Sequence, residues 1–156
     1  CLRMDEIDKR ILHILQKNAS VPLSELSKRV GMSTTPCWNR IKKMEEDGVI
    51  ASKNTVLNNN KINLHIIVFL SVTVSSHSKE WLIQFQKIIS QYDQIIEVYR
   101  LTGSSTDYLL KIVSPSIEKY DEFQQNLINE IKFTKMSSSI ALKEIKKNNY
   151  LPLDFI

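Results

Sequence analysis

Glycine is what this sequence most conspicuously lacks. It has three in 156 residues, Gly31, Gly48 and Gly103, about 2% where roughly 7% is usual. Each one is therefore a candidate for a backbone position that other residues occupy only under strain. Together with only four prolines, this scarcity excludes collagen-like and low-complexity chains. Cysteine is scarce too. Cys1 and Cys37 form no Cys-x-x-Cys or Cys/His spacing, so neither a disulfide scaffold nor a metal site is expected, no cofactor is implied, and a reducing cytoplasm fits best. Long apolar runs are also missing. The longest, Leu64 to Val74, contains His65, Ser71 and Thr73 and falls short of the roughly 20 residues that span a bilayer. Met4 is followed at once by Asp5, Glu6 and Asp8, unlike the cationic start of a secretory signal, so no membrane role is expected. Cys1 to Arg3 are given no role.

What is present is ordinary globular material, 42% hydrophobic and 24% charged, with a net charge of +4. The charge is unevenly placed. Residues 1 to 63 hold 11 Lys and Arg against 7 Asp and Glu, whereas residues 64 to 156 hold 10 of each. A basic module followed by a neutral one is implied, the basic one suited to nucleic acid or to an anionic surface.

In the basic module, Ile7, Ile11, Ile14 and Leu15 recur at helical spacing from Asp5 to Lys17, with acidic residues in the first turn. A second helix is expected from about Leu23 to Val30 and is stopped by Gly31. A third, about Ser33 to Asp47, has Ser33 as N-cap and Pro36 in its first turn, where proline is tolerated. Burying Cys37, Ile41 and Met44 turns Thr35, Asn39, Lys42 and Lys43 outward, with Thr34 and Trp38 at the N-terminal edge. Between residues 22 and 43, five basic side chains (Lys28, Arg29, Arg40, Lys42, Lys43) face one acid, Glu25. Two helices joined by a tight glycine turn, the second with hydroxyls, an amide and cations outward, is the pattern of a helix-turn-helix, although any small helical domain has a charged solvated face. After Gly48, Val49 to Leu57 reads as a short hairpin or wing.

The stretch from Met4-Asp-Glu-Ile-Asp-Lys-Arg-Ile-Leu through Ser33-Thr-Thr-Pro-Cys-Trp-Asn-Arg-Ile-Lys-Lys-Met-Glu-Glu-Asp-Gly-Val-Ile50 resembles the DNA-binding half of the Lrp/AsnC (leucine-responsive, feast/famine) regulators. On this reading residues 4 to 53 bind double-stranded DNA. Lys42 and Lys43, with Lys28 and Arg29, meet phosphates, and Ser33, Thr34, Thr35, Trp38 and Asn39 contact bases or dock the helix. Arg40 either contacts DNA or pairs with an acid to brace the helix. Trp38 has a second reading, half-buried against the first helix.

Residues 54 to 63, rich in asparagine, read as a linker. The pattern that follows is strand (64 to 75), helix (79 to 91), strand (95 to 102), strand (107 to 114), helix (116 to 131), strand (136 to 146). This βαββαβ order predicts a ferredoxin-like antiparallel sheet with both helices on one face, making the whole chain α+β. Even positions of Leu64 to Val74 are expected to face the helices, leaving Ile67 and Phe69 on the open face. The strand at 95 to 101 is expected to put Ile95, Tyr99 and Leu101 on one face and Ile96 and Val98 on the other. Such an open apolar face calls for a second protomer, and a two-fold dimer also spaces two recognition helices by about 34 Å.

The segment Thr102-Gly103-Ser104-Ser105-Thr106-Asp107 offers amides, hydroxyls and one carboxylate, groups that suit a zwitterion and equally an ordinary hairpin turn. Val98 to Gly103, Asp107 to Val113, Ser116 to Phe123 and Ile140 to Lys146 are similar to the RAM (amino-acid-metabolism regulation) domain of the same family, here residues 64 to 149. That resemblance implies an amino-acid effector near the Gly103-to-Asp107 loop, completed by Ser138 and Ser139, and homodimers assembling to octamers. Three residues separate Gly103 from Asp107 where two are usual in the family. The tail, residues 150 to 156, is unassigned, with Leu151, Leu153 and Phe155 available to pack on a neighbouring subunit. Two other functions remain on this reading. One is a DNA-organising assembly protein without effector. The other is an enzyme like siroheme decarboxylase, against which His13, His65 and His77 stand scattered and no nucleophile elbow or paired carboxylates occur.

Overall fold

The computed structural model describes residues 3 to 103 and 105 to 156. The chain divides into two compact units, Cys1–Val56 with Lys146–Ile156, and Leu57–Ile145.

The first unit holds α1 (Glu6–Lys17), α2 (Leu23–Val30) and α3 (Thr34–Glu46). Asp5 caps α1 through a reciprocal pair, its carboxylate accepting from Asp8 N–H and Asp8 accepting from Asp5 N–H, which satisfies two amides that the helix leaves open. Gly31 ends α2 with φ of 73°, a left-handed conformation that glycine adopts without a Cβ penalty. Met32 N–H bonds back to Ser27 O, closing the turn. Ile11, Leu26, Val30, Cys37, Ile41 and Met44 form the core, and each fully buried aliphatic contributes about 1.5–3 kcal/mol. Burial also raises the Cys37 thiol pKa, so the group stays neutral and inert.

Residues 49 to 58 form no ladder, so the expected hairpin is absent. Ile50 N–H bonds to Met44 O, and the segment beyond pairs with no strand among the described residues. The tail lies on α1: the Gln16 amide donates to Leu151 O (3.1 Å) and accepts from Leu151 N–H (2.9 Å). The Lys17 ammonium sits 5.8 Å from the centre of the Tyr150 ring. The tail backbone thus meets the chain's own first helix, while the Leu151 and Phe155 side chains stay 71% and 90% exposed.

The second unit opens with a 3-10 turn, Asn59–Ile62, built by the asparagines: Asn58 caps it and Asn59 donates to Leu64 O at 2.7 Å. Then come β1 (Ile66–Thr73), α4 (Lys79–Ile89), β2 (Ile95–Arg100), β3 (Tyr108–Ser114), α5 (Ile117–Glu130) and β4 (Lys135–Ile140). All pairings are antiparallel, in the order β2-β3-β1-β4, which is the expected βαββαβ sheet. Val68, Leu70 and Val72 of β1 meet Phe85 and Ile88 of α4 and Tyr120, Phe123 and Leu127 of α5. The other face of β1 carries Ile67 and Phe69, the latter 37% exposed.

Two strand details differ from expectation. Ile95 pairs with Ile112 while Glu97 pairs with the next residue, Lys111, so Ile96 is an extra residue in a bulge. The bulge resets the alternation. Ile95 and Val98 both pack on the core, and Ile96, Tyr99 and Leu101 are all exposed. β4 ends at Ile140 rather than near residue 146, because its partner β1 begins at Ile66 and the last bond runs from Ala141 N–H to Ile67 O.

Candidate functional site

The first unit's candidate surface is the outer face of α3. Cys37, Ile41 and Met44 fix its azimuth by their burial, which leaves Thr34, Thr35, Asn39, Lys42 and Lys43 exposed. Ser33 is the N-cap residue by backbone geometry, with its hydroxyl making no capping bond. Trp38 is 48% exposed and borders a shallow hollow with Leu15 of α1 and Leu23 of α2. The half-buried reading of Trp38 therefore describes its surroundings within the first unit. The Lys42 ammonium lies 5.4 Å from the centre of the Trp38 ring and bonds to Glu45 at 3.3 Å, and Glu45 also takes Lys53 at 2.9 Å. Lys53, then Lys42, hold the Glu45 carboxyl below its usual pKa.

Arg40 points the other way. Its Nη1 donates to Asp5 Oδ2 at 2.6 Å and to Asp8 Oδ1 at 3.1 Å. The Arg40 hydrogen bond is the main cause that lowers the Asp5 carboxyl pKa, and both acids raise that of the guanidinium. Lys28 and Arg29 are exposed on α2, and Arg10 binds the carbonyl of Arg29 at 2.8 Å.

In the second unit the loop between β2 and β3 carries Thr102, Gly103, Ser105, Thr106 and Asp107; Ser104 lies outside the described residues. Gly103 has φ of 127°, a conformation side-chain-bearing residues rarely adopt. Asp107 is tied three ways at the end of β1. Its N–H bonds to Val72 O (2.9 Å), its carbonyl accepts from Leu101 N–H (2.9 Å), and its Oδ2 accepts from Val74 N–H (2.8 Å). Oδ1 faces His77 Nε2 at 3.9 Å. Thr73 Oγ1 donates to Ser105 O at 2.8 Å. One carboxylate oxygen is thus engaged by the backbone, and the other stands toward His77 in the segment between β1 and α4.

Ser138 and Ser139 are placed away from this loop. Thr73, beside the loop, pairs with Lys135, whereas Ser138 and Ser139 pair with Leu70 and Phe69 farther along β1. Consecutive strand residues point to opposite faces. Ser138 shares a 2.6 Å hydrogen bond with the Tyr120 hydroxyl on the helix side, and Ser139 lies on the open face beside Phe69. The His77 approach, the Asp107 anchor and the Tyr120–Ser138 bond each join residues far apart in sequence, so periodicity carries no signal for them. Among the described residues no three His, Cys, Asp or Glu side chains are placed to hold a metal ion, and no helix is long and apolar enough to cross a membrane.

Comparison with known proteins matches residues 4–51 to a winged helix-turn-helix DNA-binding model and residues 67–151 to the Lrp/AsnC ligand binding domain. The chain belongs to the Lrp/AsnC family.

As an Lrp/AsnC protein it is a transcriptional regulator, with a helix-turn-helix DNA-binding unit and a ligand-binding unit. It is 39% identical over 151 residues to the glutamate uptake regulatory protein of Zymomonas mobilis, covering 97% of this chain and 92% of that one. It is 32% identical over 152 residues to the DNA-binding transcriptional activator DecR of Escherichia coli, covering 97% and 99%. Among solved Lrp/AsnC structures, an AsnC family regulator from Agrobacterium tumefaciens shares 44% identity with a TM-score of 0.93, covering 98% of this chain and 99% of that one. A Neisseria meningitidis transcriptional regulator in complex with L-Met shares 30% identity with a TM-score of 0.92 over the same fractions.

Proposed function

We propose that this Lrp/AsnC chain reads DNA through the outer face of α3 and answers to a small amino acid bound at the β2–β3 loop. The observation that carries the DNA reading is the division of α3, buried along Cys37, Ile41 and Met44 and exposed along Thr35, Asn39, Lys42 and Lys43. Ser33, Thr34, Thr35, Trp38 and Asn39 face the groove, and Lys42 and Lys43 meet phosphates, with Lys28 and Arg29 beside them. A DNA-bound regulator acts in the cytoplasm.

In the effector site, the amides and hydroxyls of Thr102, Gly103, Ser104, Ser105 and Thr106 hold the α-carboxylate, and Asp107 Oδ1 holds the α-ammonium. The L-Met complex of the Neisseria relative supports an amino acid as ligand class, and the name of the Zymomonas relative adds glutamate to the compounds worth testing. The open sheet face with Ile67, Phe69, Tyr99 and Leu101 supports a homodimer formed sheet to sheet, and dimers assemble further to octamers. Ser139, on that open face, belongs to this interface. Ser138 braces α5 through Tyr120.

A second reading, a DNA-organising assembly protein without effector, draws on the engagement of Asp107 by Val74 and on the longer loop. A catalytic role has less support still, since His13 lies on α1 and His65 and His77 lie in the other unit. The deciding experiment titrates the twenty amino acids by calorimetry and thermal shift, and measures footprint length with and without the binder. An amino acid that binds, stabilises the protein and alters the footprint supports the effector reading. If none of the twenty shifts stability or assembly, that reading is refuted and the assembly protein stands.

A further inference from the structure

Arg40 lies one position beyond Asn39 on the helix that faces DNA, yet its guanidinium faces inward to two acids on α1. These acids are also the capping box of α1. One group of atoms therefore ends one helix and grips the other: Asp5 Oδ1 accepts from Asp8 N–H while Oδ2 takes Arg40, and Asp8 Oδ2 accepts from Asp5 N–H while Oδ1 takes Arg40. Both bonds come from one nitrogen, Nη1, whose two hydrogens lie at fixed angles in the guanidinium plane, whereas the hydrogens of a lysine ammonium rotate freely. Apolar contacts along Cys37, Ile41 and Met44 resist separation of the helices but are non-directional. Burial of those residues sets which face of α3 turns inward, and the directional bond narrows the residual rotation of α3 about its own axis, a rotation that displaces Thr35 and Asn39 from base edges.

We propose that Arg40 is a positioning residue for DNA recognition, acting through Asp5 and Asp8, and that it makes no phosphate contact. The proposal rests on the reading of the outer face of α3 as the DNA-contacting surface. It carries an unusual sign. Removing an acid from a DNA-binding unit ordinarily strengthens binding to polyanionic DNA. Here, neutralising Asp5 weakens binding to the preferred sequence, because the loss of orientation outweighs the gain in charge.

The test uses the full chain and a duplex recovered by the wild-type protein from a random-sequence pool, compared with an unrelated duplex of equal length. Asp5→Asn keeps an amide oxygen for the helix cap, where Asn serves as well as Asp, and replaces the charged acceptor facing Arg40 with an amide NH2. Its affinity for the selected duplex is expected to fall about fivefold, the scale of an exposed ion pair, while affinity for the unrelated duplex holds or rises. Arg40→Gln is the second arm. Positioning predicts a lowered selected-to-unrelated ratio with the slope of log affinity against log salt unchanged. A phosphate contact predicts equal loss on both duplexes and a slope smaller by about 0.9, which overturns the proposal. Tighter binding by Asp5→Asn also overturns it, as does a lowered melting temperature with the ratio unchanged, which marks a merely stabilising role. Asn39→Ala serves as the separate control: if it too leaves the ratio unchanged, the reading of α3 fails, independently of Arg40.

Discussion

Asp107 has two roles in this account, and substitution separates them. Its Oδ2 receives the amide of Val74 at 2.8 Å, and Val74 is buried at 5% exposure. Asp107→Ala leaves that amide without its acceptor. A hydrogen bond to a charged group contributes about 1.5–3 kcal/mol, and the low end applies because the carboxylate is 24% exposed. For a domain of this size, about 1.5 kcal/mol lowers Tm by about 6–12 °C. The backbone bonds to Val72 and Leu101 remain, so the loop keeps its path. Asp107→Asn still offers an oxygen to Val74 and is expected to cost less than about 1 kcal/mol, yet it lacks the charge that would hold an α-ammonium. Amino-acid affinity is therefore expected to fall about tenfold or more in Asp107→Asn, with Tm nearly retained. Scanning calorimetry gives the stability and titration calorimetry the affinity. An unchanged Tm in Asp107→Ala refutes the anchoring role. Full amino-acid affinity in Asp107→Asn refutes the ammonium contact.

Other consequences are open to direct measurement. Lys43→Ala is expected to lower the salt slope of DNA binding by about 0.9, and Lys42→Ala by less, because Lys42 is shared with Glu45 and Trp38; equal slopes for wild type and both variants would exclude phosphate contact. Phe69→Lys places a charge on the open sheet face and is expected to convert dimers to monomers in sedimentation equilibrium, whereas an unchanged dimer would move the interface elsewhere. Arg40 holds the Asp5 carboxyl below its usual range. Its contribution is complete above the unfolded pKa of about 3.9 and is lost as pH falls through the lower folded value. Asp5→Asn should therefore flatten the acid limb of stability below about pH 4, measured by circular dichroism, and an identical acid limb would contradict the pairing.

What the sequence made legible follows from the range of the forces involved. Cys37, Ile41 and Met44 predicted the buried face of α3 because helical periodicity is local, and the even positions of β1 did the same for the sheet. The bulge at Ile96 was not legible, since it is defined by where Lys111 and Ile112 pair across the sheet. The end of β4 is hidden from the sequence for the same reason: a strand stops where its partner stops, and Ile66 is far from Ile140 in sequence. Gln16 and Leu151 exchange two hydrogen bonds across 135 residues, which no spacing pattern foreshadows. At the loop, the scarcity of glycine signals that Gly103 holds a conformation other residues rarely adopt, whereas the anchoring of Asp107 to Val74 depends on how β1 ends.

We propose that sequence preference is read by the outer face of α3, and the double variant Thr35→Ala with Asn39→Ala tests this most directly. Affinities for the selected and the unrelated duplex are measured at one salt concentration, beside circular dichroism to establish that the fold persists. Base-edge contacts discriminate by about 1–3 kcal/mol each, so the ratio of the two affinities is expected to fall by about tenfold or more while binding to the unrelated duplex is retained. A folded double variant that keeps the wild-type ratio would contradict the account.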